Sequence, residues 1–268
     1  MPTVTLDGRP CEARVGETIL EVARRNGVWI PTLCHHPALE PYASCRLCLV
    51  EIDRGGWGQV VTSCNYPVRR DLTVGVEAER PRRARQGVMR LLLARCPESA
   101  ELRQLAGRMG VDSTPYPKVT EAQRNCVLCG LCVRVCAERI GASAIALAGR
   151  GVARAVATPF RLPSEDCLGC GACAAVCPVG TIVVREHPGE VEISPFKSRV
   201  KVRTCARCGA PRAGEGAIRA LIRRGGVVIE EILAREDLCP RCRRTRLALD
   251  LASSGTRARA DGEGGEVP

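Results

Sequence analysis

Cys126-Val-Leu-Cys129-Gly-Leu-Cys132-Val-Arg-Val-Cys136 is echoed downstream by Cys167-Leu-Gly-Cys170-Gly-Ala-Cys173-Ala-Ala-Val-Cys177-Pro178. Each half reads C-x2-C-x2-C-x3-C, the run that holds a cubane iron–sulfur cluster. Three thiolates two residues apart sit on a tight loop and wrap one face of a cluster. The fourth cysteine starts the next helix and points away, so it serves the other cluster. The spacing therefore assigns Cys126, Cys129, Cys132 and Cys177 to one [4Fe–4S] centre, and Cys167, Cys170, Cys173 and Cys136 to a second. Gly130, Gly169 and Gly171 suit loops whose backbone passes close to sulfide.

Upstream, Val4-Thr5-Leu6 and Ala13-Arg14-Val15 flank Asp7-Gly8, a hairpin turn signal. A helical pattern starts at Thr18, carries Ile19, Val22 and Ala23 on one face, and stops at Asn26-Gly27. Leu49-Val50-Glu51-Ile52 and Leu72-Thr73-Val74 read as strands. Hairpin, helix and cysteine-bearing loop is the order of a β-grasp domain. Its ligands are Cys34, Cys45, Cys48 and Cys64, spaced C-x10-C-x2-C-x15-C; one [2Fe–2S] cluster is favoured over a four-cysteine zinc site because they sit around a β-grasp pattern. Cys11 has no partner at ligand spacing and reads as a small buried hydrophobe. His35 and His36 follow Cys34 directly; with four cysteines at hand, they are assigned solvent-facing or cluster-hydrogen-bonding roles.

Pro81 opens a helix with Val88, Leu91 and Leu92 as its apolar stripe, and Pro97 breaks it. Leu102, Leu105, Ala106 and Met109 mark a second helix ending at Gly110. Tyr116-Pro117-Lys118 reads as a linker. Beyond the paired runs, Cys205-Ala-Arg-Cys208 and Cys239-Pro-Arg-Cys242 form a last quartet, with a helix around Ile218, Leu221 and Ile222 and a strand at Val227-Val228-Ile229 between them. Two knuckles closing on one ion is the logic of a four-thiolate Zn2+ site; a third [4Fe–4S] cluster or a thiol redox pair are the alternatives.

Sixteen of the 18 cysteines thus fall into spaced groups. The chain starts Met-Pro-Thr-Val-Thr-Leu-Asp-Gly, without a basic then apolar leader pattern, and no apolar run approaches a membrane span. Metal-bound thiolates in a reducing cytoplasm are the reading. Each loaded four-thiolate site carries about −2, so four of them offset about 8 of the formal +11. Basicity therefore gives little support to nucleic-acid binding. No G-x-G-x-x-G follows a strand, no Walker A motif occurs, and three histidines leave little scope for acid–base chemistry. No group is set to make or break a substrate bond.

Pro31-Thr32-Leu33-Cys34, Ser44-Cys45-Arg46-Leu47-Cys48-Leu49-Val50-Glu51 and Thr62-Ser63-Cys64 resemble the N-terminal [2Fe–2S] domain of the complex I large iron–sulfur subunit and of [FeFe]-hydrogenases. Asn125 through Cys136, Ser143-Ala144-Ile145, Gly149-Arg150-Gly151 and Cys177-Pro178-Val179-Gly180 resemble the ferredoxin-like domain of [FeFe]-hydrogenases and of NAD-reducing hydrogenase diaphorase subunits. Those families carry a further cluster with one His and three Cys ligands between the two modules. Here the stretch has no histidine and only Cys96, so that cluster is expected to be absent and the electron path to cross by other geometry. No hydrogenase catalytic pattern follows in the last eighty or so residues.

The resulting fold class is α+β. Residues 1–80 are assigned to a β-grasp [2Fe–2S] domain, 81–117 to a helical linker, 118–198 to a bacterial-type two-[4Fe–4S] ferredoxin domain, 199–251 to a four-cysteine module and 252–268 to a disordered tail. The resemblance implies an electron-relay subunit without a substrate site, partnered by a flavoprotein that oxidises NAD(P)H and by a catalytic redox subunit of the hydrogenase or formate dehydrogenase type. A freely diffusing multi-cluster ferredoxin or redox sensor is the alternative.

Overall fold

The computed structural model describes residues 1–119, 125–201, 204–210, 238–239, 241–242, 244–246 and 248–249. The helix around Ile218, the strand at Val227 and the tail from residue 252 lie outside them. The chain divides into two compact units, Met1–Leu162 with Gly171–Val183, and Pro163–Cys170 with Val184–Pro268.

In the first unit, β1 (Thr3–Leu6) and β2 (Arg9–Glu12) pair antiparallel, Val4 opposite Cys11. Asp7 and Gly8 both take positive φ, the geometry of a two-residue turn whose twist matches the strands. So tight a turn starts the second strand at once, at Arg9. The strand expected at Ala13-Arg14-Val15 therefore runs earlier, over Arg9–Glu12. Pro10 is tolerated there because β2 is a sheet edge.

Helix α1 (Ile19–Arg25) is capped by Thr18, whose side chain accepts from Glu21 N while the Glu21 carboxylate accepts from Thr18 N at 2.8 Å. β3 (Leu49–Asp53), β4 (Gly58–Thr62) and β5 (Leu72–Gly75) complete a sheet ordered β2-β1-β5-β3-β4, with β1 and β5 parallel. Alternation places Val4, Leu6, Val50, Ile52, Leu72 and Val74 on one face. They pack with Ile19, Leu20, Val22 and Ala23 of α1 into one core, where Cys11 is buried as expected.

Helix α2 (Glu79–Arg95) and α3 (Ala100–Arg108) build a second core. The buried side of α2 is Arg85, Met89 and Leu93; Val88 and Leu92 only flank it, and Leu91 is 54% exposed. The expected Val88-Leu91-Leu92 stripe is corrected accordingly. The reason is Arg85, which donates to the Val76 carbonyl and to Glu77 and so turns the helix toward the end of β5. In α3, Leu102 and Ala106 are buried as expected, and Ser99 caps the first turn by accepting from Leu102 N.

The dicluster stretch of this unit has short elements: α4 (Leu131–Arg134), continuing as a π-helical turn through Ile140, the ribbon β6 (Ala146–Ala148) with β7 (Ala155–Ala157), and α5 (Ala172–Ala175). The second unit holds a three-stranded antiparallel sheet in the order β10-β9-β8, from β8 (Val183–His187), β9 (Glu190–Ser194) and β10 (Ser198–Lys201). Among the described residues no helix is long and apolar enough to cross a membrane.

Candidate metal centres

The four thiols of the expected [2Fe–2S] site meet at the end of the β-grasp core. Cys34, Cys48 and Cys64 are buried and Cys45 is half-buried. Cys48 is held by the start of β3, and the Cys48 carbonyl accepts from Ser63 N at 2.9 Å. The first N–H groups of α1 fix the return loop: Leu20 N donates to Ser63 O and Ile19 N to Tyr66 O, each at 3.1 Å. In the loop between Cys34 and Cys48, Ala43 and Arg46 take left-handed φ, and Cys45 N donates to Cys34 Sγ at 3.3 Å. Leu47, fully buried, pins the loop to α2 and α3 through Met89, Leu93 and Leu102.

The thiols associate as two pairs. A hydrogen bond with Cys34 lowers Cys45 to about 6 and raises Cys34; one with Cys64 lowers Cys48 to about 7 and raises Cys64. One thiol of each pair is thus poised as thiolate near neutral pH, and each pair can serve one iron of a binuclear centre. Ser63 Oγ is fully buried and completes no hydrogen bond among the described residues, while it biases Cys48 toward its thiolate. An orphaned hydroxyl beside paired thiols fits a group bearing acceptor sulfur. His35 Nδ1 lies 3.0 Å from Arg24 Nη1, and His36 Nδ1 accepts from Ala38 N at 3.2 Å. Both rings therefore already have partners within the protein.

Cys126, Cys129, Cys132 and Cys177, the expected first-cubane ligands, all belong to the first unit. Burial raises the first three, Cys129 to about 11, and the neighbouring thiols raise Cys129 and Cys132 further. A cationic iron core would offset the burial that opposes ionisation of these three thiols. Arg95, in the last turn of α2, donates from Nε to the Cys126 carbonyl at 2.8 Å, and its charge lowers Cys126. Leu128 takes φ +53 just before Cys129, and Gly130 opens α4 just after it. Cys96 is fully buried close enough to Cys126 and Cys177 for their charges to push it up, burial being the larger cause. Arg95, Ser63 and Leu47 were not singled out by spacing; a polar residue next to a ligand is a weak signal, and a buried leucine inside a C-x2-C loop is none.

The ligand sets expected for the [2Fe–2S] site and the first cubane site share one apolar cluster. Cys34, Leu39, Cys129, Leu131 and Val135 are buried together, with Cys45 and Val127 packed against them. Cys45 also packs, beside Cys177 and Val127, against the core formed by Met89 and Leu102.

Cys136 lies in the π-helical turn and Cys173 in α5, both in the first unit; Cys167 and Cys170 lie in the second. Gly169, at φ +66, has Val200 so close that an added Cβ would meet Val200 Cβ at 3.2 Å, so glycine answers both a turn and a close approach. Cys205, Cys208, Cys239 and Cys242 come together in the second unit, their sulfurs all within 4.8 Å of one another.

Residues 1–79 match the 2Fe-2S iron-sulfur cluster binding domain, and residues 125–181 the 4Fe-4S dicluster domain. The NADPH-Fe(3+) oxidoreductase subunit alpha of Geobacter sulfurreducens is 32% identical over 221 residues, 74% of this chain and 25% of that protein. An NADH-quinone oxidoreductase subunit of Rhizobium meliloti is 29% identical over 282 residues, 96% of this chain and 32% of that protein. This chain thus spans about a quarter to a third of those relatives. A chain of an NAD+-reducing [NiFe]-hydrogenase in its H2-reduced state is 32% identical with a TM-score of 0.50, over 59% of this chain and 74% of that one. The chain belongs to the iron–sulfur proteins that set a 2Fe-2S binding domain ahead of a 4Fe-4S dicluster domain, and it resembles the iron–sulfur subunits of NAD(P)H-linked hydrogenase and complex I-type oxidoreductases.

Proposed function

We propose that this chain is the electron-relay subunit of a cytoplasmic multi-subunit oxidoreductase, carrying electrons between a flavoprotein that oxidises NAD(P)H and a catalytic partner of the hydrogenase or formate dehydrogenase type. The observation that carries the reading is the single apolar cluster containing both Cys34 and Cys129. The ligand sets are Cys34, Cys45, Cys48 and Cys64 for one [2Fe–2S] centre, Cys126, Cys129, Cys132 and Cys177 for one [4Fe–4S] centre, and Cys136, Cys167, Cys170 and Cys173 for the second. The domain limits remain 1–80, 81–117, 118–198, 199–251 and 252–268.

Bound clusters supply one-electron chemistry at sulfur-ligated iron. The chain's own work is positioning and tuning. Leu33, Leu47 and Leu102 exclude water from the space between the two sites. Arg95 fixes the Cys126 carbonyl and biases its thiol toward thiolate. Ser63 lies beside Cys48, and a hydrogen bond from its hydroxyl to cluster-bound sulfur would favour the more negative, reduced state. Ser63→Ala should lower the [2Fe–2S] midpoint potential by about 20–60 mV, from ~0.5–1.5 kcal/mol per hydrogen bond and 59 mV per tenfold for one electron. Potentiometric EPR measures it, and an unchanged midpoint removes Ser63 from the tuning role.

Size-exclusion of anaerobic native extract tests the relay itself. The chain is expected to elute with an NAD(P)H-oxidising flavoprotein, and NAD(P)H is expected to reduce its clusters in that fraction. A lone chain that NAD(P)H and flavoprotein leave oxidised points instead to a free ferredoxin or redox sensor.

A further inference from the structure

The C-terminal quartet differs in kind from the other cysteine groups. Its four sulfurs lie within 4.8 Å of one another, and among the described residues it is the one group of three or more such ligands that closes to this distance. Cys208 and Cys239 Sγ are 3.7 Å apart. A tetrahedral ion with Zn–S bonds of about 2.3 Å sets its thiolates about 3.8 Å apart. A cubane places four irons between its ligands and spreads them well beyond that. The same chain provides the contrast: neither Cys34, Cys45, Cys48 and Cys64 nor Cys126, Cys129, Cys132 and Cys177 contract in this way.

The backbone around the quartet is organised for thiolate. Gly209 takes φ +67 directly after Cys208, which returns its N–H to the Cys205 carbonyl at 2.9 Å, and Cys205 N donates to Ala210 O at 2.9 Å. Only a residue free of Cβ strain makes that knuckle readily. Cys239 N donates to Cys205 Sγ at 3.2 Å and Cys242 N to Cys239 Sγ at 3.5 Å, so the second knuckle supplies N–H donors to a sulfur of each knuckle. The second pair stands at the start of a helical stretch over the described residues from 241 to 249. Cys205, Cys239 and Cys242 are buried against Ala210 and Leu238, leaving Cys208 as the exposed edge. Arg207 and Arg241, inside the two knuckles, bring positive charge to a site whose loaded charge is about −2.

We propose that Cys205, Cys208, Cys239 and Cys242 bind a single zinc ion in a closed, redox-silent site, rather than a third cubane. Four thiolates leave no open coordination position, so the ion holds the two knuckles together and takes no part in the electron path. Zinc is preferred to mononuclear ferrous iron because a given ligand set binds it more tightly. The inference is independent of the relay reading, since it rests on the second unit alone.

Full-length protein, purified anaerobically, is expected to contain one zinc and about ten irons per chain. Cys208→Ser should lower zinc to below a tenth of an equivalent and leave iron and the EPR signals unchanged. Cobalt grown into the wild-type chain should give one equivalent of thiolate-to-cobalt charge-transfer absorption, a readout that needs no variant to fold. About fourteen irons without zinc, one extra mononuclear iron without zinc, or zinc that survives in Cys208→Ser would each overturn the assignment. A colourless, sulfide-free protein that still holds zinc would instead sink the relay and leave this site standing.

Discussion

Cys129→Ser should abolish one [4Fe–4S] signal, leave the [2Fe–2S] signal intact and reduce NAD(P)H-linked electron transfer through the assembled complex to background. Cys129 is 9% exposed and shares its apolar cluster with Cys34, so it sits on the side of the cubane site that faces the [2Fe–2S] site. A serine hydroxyl is a poor substitute for thiolate. Losing an outer-shell partner already costs about 10–100-fold in metal affinity, and losing a ligand costs more. EPR of the reduced protein and turnover of the reconstituted complex give two separate readouts. Full turnover with the signal gone would falsify the serial route, because electrons would then be passing without this centre.

Leu47→Ala is the second large effect. The side chain is fully buried and joins the [2Fe–2S] loop to the core of Leu33, Met89, Leu93 and Leu102. Removing it leaves a cavity in a tightly packed site and costs about 2–5 kcal/mol. At the sensitivity of a domain this size, the apparent melting point falls by about 4–20 °C. The [2Fe–2S] signal should broaden or be lost first, since the loop loses its only buried anchor between Cys45 and Cys48. Leu91→Ala, at a residue 54% exposed on the same helical region, should stay within about 0.5 kcal/mol. Equal effects at both positions would mean that Leu47 has no special hold on the loop.

The elements that were legible in the sequence are those fixed by local chemistry. The helix start at Thr18 was read from the sequence, and it forms, with Glu21 closing a capping box onto it. Asp7-Gly8 is a two-residue turn, and it forms, although its tightness moves the second strand back to Arg9. Other elements depended on distant partners. β4 escaped notice because most of Gly58–Thr62 is half-buried at a sheet edge, which blurs the alternation. The buried stripe of α2 was misplaced because a charged residue, Arg85, turns inward to reach the Val76 carbonyl. Hydrophobic periodicity assigns no such role to arginine.

The same division holds at the metal centres. Cysteine spacing by itself singled out the cysteines proposed for the three clusters and the final quartet, because the thiolates that wrap one inorganic core recur at short intervals in the chain. Tertiary structure alone decided that Cys34 and Cys129 are buried in one apolar cluster, and that the last four sulfurs lie within 4.8 Å of one another. Both depend on how far apart atoms from remote segments come to rest. Spacing along a chain leaves that distance open, and packing fixes it.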